Sequence, residues 1–103
     1  MGARENKVET YLKTSVAALG GVSRKWVSPG HDGVTDQIVI IEGAVWFVEV
    51  KTQDGKLSAM QVREHARLRT AGANVTTVYG RAGVDEFLRK NFGVVECLTG
   101  DIL

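Results

Sequence analysis

The chain has 103 residues, 44% hydrophobic and 24% charged, which is the composition of a folded globular domain and not of a disordered or low-complexity segment. Thirteen Lys and Arg against 12 acids leave a formal net charge of +1, so any nucleic-acid surface has to come from segregation of the cations. A chain of this length supports one modest core and is read as a single domain over residues 1–103.

In chain order, Val8, Leu12, Val16 and Leu19 recur at helical spacing and predict a first helix from about Arg4 to Leu19, ended by Gly20-Gly21. Val22 to Val27 predicts a first strand, and Pro29, Gly30 and Gly33 punctuate the loop after it. Thr35 to Ile41 and Ala44 to Lys51 are rich in Ile, Val, Trp and Phe, as strands are. Between them, Glu42-Gly43 supplies a glycine where a tight hairpin turn needs positive φ. Ser58 opens a second helix running to Thr70, closed by Ala71-Gly72, and Val75 to Tyr79 predicts a further strand. Gly83 to Lys90 predicts a third helix with Val84, Phe87 and Leu88 inward, and Val94 to Leu98 a last short strand. The α-β-β-β-α-β order is that of an α/β fold with a mixed sheet flanked by helices.

A two-residue turn pairs Ile41 with Ala44 and therefore sets Asp36 opposite Glu49, with Lys51 on the same face as Glu49. A Glu-x-Lys pair on a half-exposed ladder is commonplace and stabilises by only about 0.2–1 kcal/mol. Here, however, residues 38–41 and 45–48 are apolar on both faces, which predicts a sheet covered on both sides. Facing carboxylates beside such low dielectric repel unless a proton or a cation intervenes. A hard divalent cation resolves the conflict, since Mg²⁺ typically takes one or two carboxylates together with waters and substrate phosphate oxygens. The lysine then faces a phosphate or an attacking water.

Other residues carry weaker signals. Glu5 and Glu9 lie one helical turn apart, and acids so placed also favour the helix N-terminus by roughly 0.3–1 kcal/mol. Glu5 suits that electrostatic role, while Leu12 and Val16 place Glu9 beside the buried stripe. Ser58-Ala59-Met60-Gln61 fits a capping box, in which Ser caps the helix and Gln reaches back to it. His31 stands in a glycine-rich loop and His65 on the second helix; neither forms a Cys/His ligand set, and neither is assigned to metal. Asp32 reads as a turn residue, and Trp26 and Trp46 as core or interface aromatics. Arg24, Lys25, Lys56, Arg63 and Arg67 are candidates for phosphate contacts if the fold gathers them, with a solvated surface as the default for each. Cys97 is alone, which excludes an intrachain disulfide and a zinc cluster and fits an intracellular setting. There is no apolar run of membrane-spanning length, no secretory-type stretch after Met1, no Gly-x-Ser-x-Gly elbow and no phosphate-binding Gly-x-x-x-x-Gly-Lys loop.

Asp36 followed by Glu49-Val50-Lys51 on adjoining strands resembles the PD-(D/E)xK nuclease superfamily. Most of the chain is similar to one branch of it, the virus-type replication-repair nuclease (VRR-NUC) domain. The resemblance runs through the helix Arg4-Glu5-Asn6-Lys7-Val8-Glu9-Thr10-Tyr11-Leu12, Ala18-Leu19-Gly20-Gly21 and the loop Ser28-Pro29-Gly30-His31-Asp32-Gly33-Val34. It continues past the Asp36 and Glu49-Val50-Lys51 core to Gly55-Lys56-Leu57-Ser58 and Gln61. One departure is Thr35, which stands where the family usually has a proline; a β-branched residue also favours extended backbone.

The resemblance implies a Mg²⁺- or Mn²⁺-dependent endodeoxyribonuclease. Asp36, Glu49, the Val50 carbonyl and a glutamate of the first helix, Glu9 with Glu5 as the alternative, would hold the metal. Lys51 would orient the attacking water, and Gln61 would approach the lysine and the phosphate, a role expected to compete with capping for one side-chain amide. Stand-alone viral-type members resemble Holliday-junction resolvases that act as homodimers on four-way DNA junctions. That implies branched DNA as partner, two-fold assembly, no membrane and, for a phage-encoded chain, the host cytoplasm. Trp26, Val27, Val45 and Phe47 are the candidate interface residues. The alternatives are a flap or nicking nuclease, a non-catalytic DNA-binding module, to which an intact Asp, Glu and Lys set is a poor fit, and a purely structural α/β protein.

Overall fold

The central hairpin forms with the two-residue turn that its Glu-Gly pair predicts. In the computed structural model, which describes residues 3–93, strand β2 (Gln37–Ile41) runs antiparallel to β3 (Ala44–Lys51), with Ile41 paired to Ala44 and Gln37 to Val48. Glu42 at φ 51 and Gly43 at φ 83 both occupy the left-handed region, the arrangement whose twist matches that of the flanking strands. One further step of this register sets Asp36 against Glu49.

Around the hairpin the chain adds helix α1 (Ala3–Ala18), strand β1 (Val22–Lys25), helix α2 (Ala59–Thr70), strand β4 (Asn74–Tyr79) and helix α3 (Gly80–Phe92). The four strands lie in the order β1-β2-β3-β4, the first three antiparallel and β4 parallel to β3 by way of α2, so the sheet is mixed. The predicted Val94–Leu98 strand falls outside the described residues. Among the described residues no helix is long and apolar enough to cross a membrane.

Alternation along β3 divides its side chains between two environments. Val48 and Val50 join Val39, Ile41 and Val78 in one core with Val8, Leu12 and Val16 of α1 and Val84, Phe87 and Leu88 of α3. Leu12 is fully buried at its centre, where truncation to alanine typically costs about 2–5 kcal/mol. Trp46 meets Phe87 edge-on at 5.3 Å, and the Tyr11 hydroxyl donates to Asp85 Oδ1 at 2.6 Å, tying α1 to α3.

The opposite face, which carries Val45, Phe47, Glu49 and Lys51, is covered only in part. Helix α2 packs there against β4, while the register neighbours Val22, Ile40 and Val45 remain about 40% exposed (39%, 42% and 41%). The expected two-sided cover is therefore corrected: one crossover helix spans only the β3–β4 half of the sheet. The third helix also begins three residues earlier than its spacing predicts. Gly83 is not its start but a point of close approach, where a Cβ would come within 3.1 Å of the Val78 carbonyl carbon.

Candidate active site

Asp36 lies at the edge of the hairpin, where the β1–β2 ladder extends by one bond from the Trp26 N–H to the Asp36 carbonyl at 2.9 Å. Its carboxylate reaches across to β3, and Oδ1 accepts from the Val50 N–H at 3.2 Å. Thr35, in the usual proline's place, is completely buried, and its hydroxyl has no hydrogen-bond partner among the described residues. Gly33 brings this segment under the start of α2: at φ 91 it passes so close that a Cβ would lie 2.7 Å from the Met60 carbonyl oxygen. That contact holds the Asp36 strand and the first turn of α2 side by side.

Glu49, only 4% exposed, is held by three neighbours. Oε2 accepts from Gln61 Nε2 at 3.1 Å and lies 3.9 Å from Lys51 Nζ. Oε1 is buried with no hydrogen-bond partner among the described residues, 3.8 Å from His65 Nε2. Burial pushes the Glu49 carboxyl up to about 7, and the neighbouring Asp36 and Glu5 add to the rise while Lys51 and the Gln61 bond oppose it. Burial likewise raises Asp36 to about 6, against the Val50 N–H and Lys25 and with Glu9 adding to the shift.

Gln61 both caps and contacts. Its Oε1 accepts from the Ser58 N–H at 2.9 Å, its own N–H donates to Ser58 Oγ at 3.1 Å, and Nε2 remains for Glu49. The expected competition is corrected, because a carboxamide accepts at one end and donates at the other. The two α1 acids divide as well. Glu9 acts electrostatically on Asp36 and Glu5 on Glu49, and Glu9 Oε2 is paired with Lys25 Nζ at 3.2 Å.

Asp36, Glu49, Lys51, Gln61 and the α1 glutamates thus gather at one end of the hairpin. The candidate phosphate residues do not all join them: Arg63 and Arg67 are exposed along α2, with Arg67 paired to Glu64, and His31 and Asp32 are exposed in the loop before β2. His65 is the neighbour that motif reading missed. It stands four residues after Gln61, on the same face of α2, and that spacing was the available signal.

The residues fit a hard divalent cation. Both carboxyls are raised chiefly by burial, with Asp36 adding to the rise of Glu49 and Glu9 to that of Asp36, and Glu49 keeps an unsatisfied buried oxygen, the conflict that a cation relieves. Among the described residues no three His, Cys, Asp or Glu side chains close into a cage. Mg²⁺ needs none, since one or two carboxylates with waters and phosphate oxygens suffice.

No protein-family model matches the chain. It is 42% identical over 73 residues to the "Putative nuclease p44" of Acyrthosiphon pisum secondary endosymbiont phage 1, covering 70% of this chain and 78% of the phage protein. A solved VRR_NUC domain is 40% identical, with a TM-score of 0.79 over 88% of this chain and 99% of its own. Two more distant structures share the fold. One is a VRR_NUC domain protein at 14% identity and TM-score 0.68, covering 92% of this chain and 93% of its own. The other is the Holliday junction resolvase Hjc of Archaeoglobus fulgidus at 18% identity and TM-score 0.57, covering 73% of this chain and 67% of its own. With a solved VRR_NUC domain matched over almost its whole length at 40% identity, the chain belongs to the VRR-NUC nuclease family.

Proposed function

We propose that this protein is a Mg²⁺- or Mn²⁺-dependent endodeoxyribonuclease that hydrolyses phosphodiester bonds in branched DNA, with four-way junctions as its preferred substrate. The observation that carries this reading is the opposed pair of half-buried Asp36 and buried Glu49, raised to about 6 and about 7 and flanked by Lys51. Groups so perturbed at one end of a sheet are costly to keep unless they serve chemistry. Family membership supplies the reaction class, and the shared fold of Hjc, a Holliday junction resolvase, supports the junction preference.

Asp36, Glu49, the Val50 carbonyl and Glu9, or Glu5 in its place, would hold the metal. When bound, the cation supplies a water of lowered pKa and neutralises charge that develops on the scissile phosphate. Gln61, fixed at its other end by the Ser58 cap, sets the orientation of Glu49. Lys51 projects from the same strand face as Glu49 and positions the attacking water by electrostatics. Exposed Arg and Lys side chains grip the DNA backbone without reading bases.

The active unit in this reading is a homodimer. The uncovered sheet face of Val22, Ile40 and Val45, continued by Phe47, Trp26 and the 71%-exposed Val27, is a candidate for a closed two-fold interface. Two clusters at fixed separation deliver paired incisions across a junction. The phage relative is in keeping with action in a host cytoplasm.

Incubation with a labelled four-way junction, a flap and a plain duplex, each with and without Mg²⁺ or Mn²⁺, tests the reading. Junction cleavage that is fastest and strictly cation-dependent is expected. Faster cutting of flaps or nicked duplex would move the protein to the alternative nuclease class, and no cleavage of any substrate in either cation would sink the reading.

A further inference from the structure

His65 and Glu49 present an unusual pair of atoms to each other. His65 is 1% exposed, and neither of its ring nitrogens has a hydrogen-bond partner among the described residues. Its Nε2 faces Glu49 Oε1 at 3.8 Å, and that oxygen is equally buried and equally without a partner. Buried polar atoms left unpaired are costly and rare, so two of them facing one another call for an explanation. Plain packing does not provide it, because an aliphatic side chain at position 65 would fill the space without stranding two nitrogens.

The geometry of α2 does. Gln61 and His65 are one turn apart and project from the same helix face, and each addresses a different oxygen of Glu49: Gln61 takes Oε2 at 3.1 Å, and His65 faces Oε1 at 3.8 Å. We propose that His65 is a positioning residue that, with Gln61, clamps the Glu49 carboxylate in the orientation a divalent cation requires, by donating its Nε2–H to Oε1. This rests on the nuclease reading of the same site. The present separation exceeds a hydrogen bond by less than 1 Å. A small rotation of Glu49 closes it, and contacts of this kind commonly tighten only in the loaded site. An imidazole always carries at least one N–H, and the unpartnered Nε2 is the ring atom that faces Oε1. Groups that hold a metal-binding side chain in place are typically worth 10- to 100-fold in metal affinity or activity when removed.

The test compares the parent with His65→Leu, which keeps the volume but loses the donor, and His65→Gln, which restores a neutral N–H donor. Three quantities are read on the full chain: Mn²⁺ affinity by calorimetry without DNA, Mn²⁺ dependence of junction cleavage, and junction affinity in Ca²⁺. His65→Leu is expected to weaken Mn²⁺ binding and lower kcat by roughly 10- to 100-fold while leaving junction affinity within about twofold. His65→Gln should recover the greater part of both losses. If His65→Leu fails to fold, as judged by its melting curve, the unbranched His65→Met takes its place. An active parent whose Mn²⁺ affinity and kcat are unchanged by the apolar variant overturns this inference alone. A parent that neither binds Mn²⁺ nor cuts any of the three DNAs overturns the nuclease reading and this inference with it.

Discussion

Gln61 joins the first turn of α2 to Glu49 through the two ends of one carboxamide, accepting from the Ser58 N–H at 2.9 Å and donating to Glu49 Oε2 at 3.1 Å. The helix start and the acidic cluster are therefore mechanically one unit, and α2 cannot shift without moving a carboxylate proposed to hold metal. Gln61→Glu separates the two ends. A glutamate still accepts from Ser58, so the cap survives, but above the Glu49 ionisation near 7 its second oxygen faces Glu49 Oε2 with no proton to share. The variant should lose at least about tenfold in kcat, which corresponds to about 1.4 kcal/mol in the transition state. It should also melt lower at pH 8 than the parent, with the difference shrinking at pH 5 as the pair gains a proton. Rates and melting points equal to the parent's at both pH values would return Gln61 to a purely capping role.

The cluster also makes the cation-free protein less stable as pH rises. Asp36 goes from an ordinary 3.8 to about 6 in the fold, and Glu49 from 4.5 to about 7. The folded state then holds protons that the unfolded chain has already released. The stabilisation from those protons is complete below pH 4 and is lost as pH climbs through 6 and 7. Glu49→Gln removes the larger part of that loss. It should be more stable than the parent at pH 8, by roughly 1–3 kcal/mol, because each tenfold change in an ionisation equilibrium between folded and unfolded chain is worth about 1.4 kcal/mol. It should lose this advantage at pH 4. Added Mn²⁺ should raise the melting temperature of the parent and not of the variant. Chemical denaturation at the two pH values, without cation, measures the first effect, and a variant less stable than the parent at pH 8 contradicts it.

Much of this site was legible in the amino-acid order, for reasons that can be named. The Glu42-Gly43 turn admits one register, and strict alternation then forces Asp36 opposite Glu49 and Lys51 onto the same face. The Ser58-x-x-Gln61 spacing is local, so the cap was visible too. What was not legible depends on how elements pack. His65 belongs to the site only because α2 crosses over Glu49, and Lys25 pairs with Glu9 only because β1 lies against α1. Apolar runs on β2 and β3 predicted two covered faces, but composition does not say that a single crossover helix reaches only half of one.

Lys25 tunes the cluster from its edge. Its ammonium, paired with Glu9 at 3.2 Å, is one of the charges that hold Asp36 down against its burial. Lys25→Met should therefore raise the Asp36 ionisation further above 6, a shift readable by carbon NMR of the carboxyl group in cation-free protein. An Asp36 titration that does not move would remove Lys25 from the electrostatics of the site.

The open sheet face makes its own prediction. Val45 stands beside Ile40, and Ile40 beside Val22, with all three about 40% exposed (41%, 42% and 39%). Val45→Lys places a charge at the β3 end of this stripe without touching the core behind the sheet. In light scattering it should convert the proposed dimer to a monomer with little change in the melting curve, and it should turn the paired incision proposed for a junction into single nicks. A variant that stays dimeric and still makes paired cuts would move the interface elsewhere.

The most direct measurement of the central claim is cleavage of a labelled four-way junction by the parent and by Asp36→Asn, purified in parallel and assayed in Mn²⁺ and in chelator. The exchange removes a charge at nearly constant volume and keeps an oxygen to accept from the Val50 N–H. Cleavage by the parent in Mn²⁺ alone, with at least about a thousandfold less by Asp36→Asn (about 4 kcal/mol), is the predicted result. Undiminished cleavage by Asp36→Asn in Mn²⁺ would contradict the assignment of this site.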